Sequence, residues 1–124
     1  MFLIPSKASS LLLEDQLPSE DDLGNIEYKI HIINLTHKRF HKLVTQMSWR
    51  INEGVGFCYY YIGIPDDGSP RGISKKCMEE SLSNLVKICK YLKYDYELEY
   101  LKRGISGGFC AKLLINNNSS TSYG

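Results

Sequence analysis

Apolar positions along the chain recur with two different periods, and each change of period marks a new element. Between residues 26 and 33, Ile26, Tyr28, Ile30 and Ile32 alternate with Glu27, Lys29 and His31. A period of two predicts a half-buried strand with the apolar set on one face. From 37 to 53 the period lengthens. Phe40, Val44, Met47 and Ile51, joined by Leu43, form one helical stripe, with Asn34 or Thr36 as the cap and Gly54 as the stop. Residues 57–64 read as a second strand. Pro65-Asp66-Asp67-Gly68 is a turn signal, because proline presets φ and glycine accepts a positive one. The turn predicts a short strand over 70–73 returning beside the second as a hairpin. Ser74 then caps a second helix, whose stripe is Met78, Leu82, Leu85, Val86, Cys89 and Leu92. Its early Glu79 and Glu80 and late Lys87, Lys90 and Lys93 suit the helix dipole. Residues 95–101 alternate again, and 109–115 read as a last strand after a glycine-bearing loop.

The resulting order is β-α-β-β-α-β with room for one more strand. It predicts an α+β fold, a two-layer sandwich with both helices on one face of the sheet and a ferredoxin-like arrangement. The expected organisation is an acidic, partly mobile lead-in over 1–25, a globular domain over 26–115, and a polar Asn/Ser-rich linker over 116–124.

Charge sharpens this division. The formal net charge is +1, but residues 1–25 carry five acids against one lysine, leaving fourteen basic and nine acidic residues in the rest. A mildly basic body suits a polyanionic partner or an acidic protein surface. Its clearest concentration is Lys38, Arg39, Lys42 and Arg50 on the first helix, with Arg71, Lys75 and Lys76 after the turn. Lys38, Arg39, Lys42, Trp49, Arg50 and Arg71 are therefore the candidate contacts to RNA or a protein partner. Trp49 lies partly off the apolar stripe, so its ring is either a core anchor or a contact for a partner. Within Tyr59-Tyr60-Tyr61, at least one ring points away from its neighbours, as base stacking would need.

Catalytic motifs are wanting. Neither G-x-x-x-x-G-K-[ST] nor G-x-G-x-x-G after a strand occurs, and Gly54/Gly56 and Gly104–Gly108 precede strands rather than helices. His37 and His41 stand at i, i+4, but Lys38, Arg39 and Lys42 surround them with positive charge that disfavours a divalent cation. Cys58, Cys77, Cys89 and Cys110 are 19, 12 and 21 residues apart and sit in apolar segments. They read as reduced, packed thiols, with the cytoplasm as compartment. No stretch of about 18 apolar residues offers a membrane span. The N-terminus is not a signal peptide.

Four stretches, LPSEDDLGNIEYKIHIIN (17–34), RFHKLVTQMSWRINEGVG (39–56), YIGIPDDGSPRGI (61–73) and MEESLSNL (78–85), resemble the N-terminal region of the GTP-binding-protein-one family of elongation-factor-Tu-like GTPases, linked to translation and RNA turnover. The residues fitting that family's pattern include Leu43, Thr45, Gln46, Met47, Trp49, Arg50, Glu53, Gly54, Gly63, Gly68 and Gly72. The resemblance implies a non-catalytic accessory domain of a larger parent, which would be the GTPase. GTP and magnesium would bind a domain beyond residue 124, so this stretch would hold no cofactor of its own. The implied partners are that downstream GTPase domain and the ribosome or RNA, with no membrane. The alternative is an RNA-binding domain that uses the basic helix face. The stretch 61–73 is also similar to the strand–turn–strand of the Alba-like domains in schlafen-type proteins, which are associated with nucleic acid.

Overall fold

The computed structural model describes residues 16–117. The elements run β1 (Ile26–Lys29), α1 (His37–Glu53), β2 (Phe57–Ile62), α2 (Lys75–Leu92), β3 (Asp95–Arg103) and β4 (Phe109–Asn116). The fold is α+β, with one mixed sheet in the order β1-β2-β4-β3. Both helices cover one face. Leu43, Met47 and Ile51 from α1 and Met78, Leu82, Leu85 and Ile88 from α2 meet Tyr60 and Ile62 of β2 and Leu113 and Ile115 of β4. Both caps form as expected: the Thr36 hydroxyl accepts from the Arg39 amide and the Ser74 hydroxyl from the Cys77 amide. Glu79 and Glu80 fall outside the first turn of α2, which begins at Lys75 and has no acid there. The α1 terminus is unusual. Gly54 closes the helix, but the left-handed residue is Val55, at φ 53. That conformation costs a β-branched residue roughly 1–2 kcal/mol.

The strand order differs from the ferredoxin-like expectation. β1 and β2 pair directly and in parallel, while the β2–α2–β3 unit is split by β4, which runs antiparallel to both. The expected hairpin partner at 70–73 shrinks to a single bridge from Ile73 to Phe109 of β4. The reason is occupancy: β1 and β4 already hold both edges of β2. The turn itself forms, with the Gly68 amide donating to the Pro65 carbonyl over 2.9 Å. The chain then crosses the end of the sheet, where Gly72 donates to the Gly63 carbonyl over 2.9 Å. Gly63, Gly72, Gly104 and Gly108 come together here at backbone-to-backbone distance.

The facing of β1 is also the reverse of a simple apolar-inward strand. Ile26 and Tyr28 lie opposite Tyr59 and Tyr61 on the open face, so Glu27 points under the helices. β1 is an edge strand, and at its margin Arg50 of α1 meets Glu27. The open-face residue Tyr28 is instead covered by the preceding segment. Its hydroxyl donates to the Pro18 carbonyl over 2.7 Å, and Leu17 packs beside it. Residues 16–25 of the lead-in are thus fastened to the body: the Leu17 amide donates to Gly68 and the Glu20 amide to Asp66. Residues 1–15 and 118–124 lie outside the described residues, and Asn116, assigned to the linker, closes β4.

Candidate nucleic-acid interface

The Thr36 cap starts α1 so that Lys38, Arg39 and Lys42 project from its first two turns, all exposed. No acid occupies the first turn. Cations at the positive end of a helix dipole are unfavourable to the helix by some tenths of a kcal/mol, and they add to the local positive potential. Beside them runs a groove of about 520 Å³, lined by Lys29, Arg39, Lys42, Leu43, Thr45 and Gln46. A second groove continues from it past Lys29, Arg39 and Gln46 toward Glu20, His31 and Asp66. One end is cationic and the other carboxylate-bearing. Between them the Gln46 side-chain oxygen is buried without a hydrogen-bond partner.

Of the six sequence candidates, the fold brings Lys38, Arg39 and Lys42 together and adds Lys29 from β1. Arg71 is exposed on the β2–α2 connection and lines neither groove. Trp49 lies toward the C-terminal end of α1, 39% exposed. Arg50 leaves the basic face altogether. It is 4% exposed, its Nε is 2.8 Å from Glu27, and its other nitrogens donate to the carbonyls of Asp21, Leu23 and Gly24. With four of its five N–H groups bonded inside the protein and its side chain buried, this guanidinium is not presented to a phosphate. Helical spacing could not reveal this, because Glu27 and residues 21–24 reach it only through the tertiary fold.

Glu20 is a site-like residue that sequence reasoning passed over. Burial raises its carboxyl pKa, and the neighbouring charge of Glu27 adds to the rise, opposed by the hydrogen bond from the Tyr28 amide at 2.6 Å. That bond caps a free edge amide of β1, which is a structural use. Asp67 is held below its usual range by the Ser69 amide it accepts, as befits a turn residue. Burial pushes the thiols of Cys58 and Cys89 up to about 12 and that of Cys110 to about 11, leaving them unreactive at neutral pH. Among the described residues, no three of His, Cys, Asp and Glu gather as a metal site. His37 and His41 instead stack edge to face, 4.5 Å apart, within a cluster holding Phe40 and Tyr91.

The open sheet face does present Tyr59 and Tyr61, with Tyr60 buried on the other side. Lys112 already lies 4.5 Å from the Tyr59 ring and 5.6 Å from Tyr61, and Lys102 lies over Tyr100. Glu99, at a register shift in β3, pairs with Lys112 at 3.3 Å. These rings are engaged within the protein, so the α1 face is the stronger candidate for a polyanion.

No family model matches the chain, and no solved structure matches it. GTP-binding protein 2 from mouse and from human is each 42% identical over 79 residues, which is 64% of this chain and 13% of the relative. The uncharacterized protein R625 of Acanthamoeba polyphaga mimivirus is 35% identical over 105 residues, 84% of this chain and 50% of that protein. The chain therefore spans only a fraction of the curated relatives it matches. No helix among the described residues is long and apolar enough to cross a membrane. Over most of its length, the chain is homologous to a segment of GTP-binding protein 2.

Proposed function

We propose that this chain is a non-catalytic accessory module of a larger elongation-factor-Tu-like GTP-binding protein, serving translation or RNA turnover through that parent in the cytoplasm. The carrying observation is homology to a segment making up 13% of GTP-binding protein 2, in a chain with no phosphate-loop motif. Nucleotide and magnesium then belong to the rest of the parent. Calorimetric titration of the purified chain with GTP and magnesium is expected to show no binding; tight binding by the chain alone would overturn the reading.

The exposed Lys38, Arg39 and Lys42 beside Lys29 favour a second reading, direct contact with single-stranded RNA. Three phosphate contacts at roughly 0.7 each give a log–log salt slope of about −2, a loss of about 15-fold between 50 and 200 mM salt. Oligouridine anisotropy should show that slope, and Lys38→Glu with Arg39→Glu and Lys42→Glu should abolish binding. Affinity indifferent to the three reversals would remove this role for α1.

A further inference from the structure

The end of the domain opposite the basic groove carries a set of apolar side chains that the fold does not use. Leu23 is 66% exposed, Val55 92%, and Ile26, Trp49 and Phe57 are exposed as well. The segments carrying Leu23 and Ile26 and those carrying Val55 and Phe57 are joined through the backbone. The Asn25 side chain donates to the Phe57 carbonyl over 3.2 Å, and the Asn25 carbonyl accepts from Tyr59 over 2.8 Å. The Arg50 guanidinium lies 5.1 Å from the centre of the Trp49 ring while it bonds the carbonyls of Leu23 and Gly24. One buried cation thereby touches both the Trp49 ring and the backbone at Leu23.

Val55 is the most telling member. It stands in the left-handed region at φ 53, where glycine or asparagine is at ease and a β-branched residue is strained. Its side chain lies almost wholly in solvent, so the packing of the domain gains nothing in return.

Charge around this patch selects its occupant. Asp21, Asp22 and Glu53 are exposed beside it. The Asp21 carboxylate is oriented by the Leu23 amide and that of Glu53 by the Gly24 amide. Arg50 offers no compensating charge outward, being paired with Glu27. Carboxylates at this density repel a phosphate backbone or an anionic bilayer. A second copy applied through the same patch would set like charges face to face. What complements it is a protein surface with apolar side chains flanked by lysine or arginine, a form that a basic amphipathic helix supplies.

We infer that the Leu23–Trp49–Val55–Phe57 end is a docking surface for a basic amphipathic segment of a partner protein, separate from the basic groove at the other end of α1. The inference goes beyond the accessory-module reading and is testable without the parent.

Trp49 is the only tryptophan, so all tryptophan emission arises at this patch. A synthetic amphipathic helical peptide of leucine and lysine is expected to shift that emission saturably. In amide spectra it should move resonances around residues 21–26 and 49–57. A matched leucine–glutamate peptide should bind about tenfold more weakly or not at all, from the charge sign alone. Val55→Gly relieves the strain, so the variant should be at least as stable to urea, yet bind the leucine–lysine peptide about fivefold more weakly. Asp21→Lys with Asp22→Lys should lower affinity by about tenfold. Equal binding of the two peptides would overturn the proposal, as would unchanged affinity in Val55→Gly. Shifts centred on Lys38–Lys42, a Trp49 response to oligouridine, or concentration-dependent dimerisation through the patch would each overturn it too.

Discussion

Replacing Gly63 by alanine is expected to lower stability by about 3 kcal/mol or more, the largest loss foreseen for so small a change. Gly63 has φ +88, and a Cβ there would stand 2.5 Å from the Phe109 carbonyl oxygen and 3.3 Å from the Cys110 Cα. These are backbone atoms of the adjoining strand β4 and cannot rotate away. The left-handed conformation contributes roughly 1–2 kcal/mol and the forced displacement roughly 1–3 kcal/mol. For a domain of this size, such a loss lowers Tm by more than about 10 °C. Gly24→Ala is the control. Its φ is +91, but nothing lies within 4 Å of the added carbon, so only the conformational part, roughly 1–2 kcal/mol, should appear. Urea titrations of the two variants separate the contributions. If Gly63→Ala cost no more than Gly24→Ala, the close junction of Gly63, Gly72, Gly104 and Gly108 would be no constraint on the fold.

Arg50→Met should cost nearly as much, about 3 kcal/mol, since removing one member of a buried pair strands the other. Glu27 is 2% exposed, and Lys29, 3.2 Å away, compensates it only in part. The carbonyls of Asp21, Leu23 and Gly24 lose their donor at the same time. Two measurements distinguish this role from simple loss of packing. Arg50→Met combined with Glu27→Leu should cost less than the sum of the single changes, because no charge is then left alone. Amide exchange should accelerate selectively around residues 21–28 in Arg50→Met. Strict additivity in the double variant would mean that the pair carries no coupling. The variant also bears on function, since Arg50 positions Leu23 and Trp49 at the proposed docking end.

The two ends of α1 give the molecule a polarity that composition does not suggest. A net charge of +1 conceals a basic groove at the helix N-terminus and a carboxylate-rimmed apolar end at its C-terminus. An accessory module of a larger protein can use such polarity to engage two unlike surfaces at once, with an avidity neither end has alone.

Where interactions are local, the residues are legible one stretch at a time. The span of α1, the caps at Thr36 and Ser74 and the turn at Pro65–Gly68 all follow from spacing and side-chain chemistry within a few residues, and so they match the structure. Reading fails where the deciding partner is distant. The 70–73 segment has turn chemistry fit for a hairpin, yet a hairpin needs a free edge on β2, and that edge belongs to β4. The alternation of β1 is visible, but its facing depends on Arg50 meeting Glu27 at an edge strand. Arg50 itself belongs to a basic helix by sequence and to the protein interior by structure.

By itself, then, the amino-acid order determined two amphipathic helices, the strands between and after them, three of the four thiols as buried, with Cys77 left partly exposed, and a chain lacking a phosphate loop. These are matters of periodicity, of local hydrogen bonding and of residues simply present or missing. Only the tertiary structure decided the order of strands, the burial of Arg50, the meeting of four glycines and the separation of a basic end from an apolar acidic one. Each of those depends on which distant segments share an edge or a few cubic ångströms of space, and that competition is settled only when the whole chain has packed.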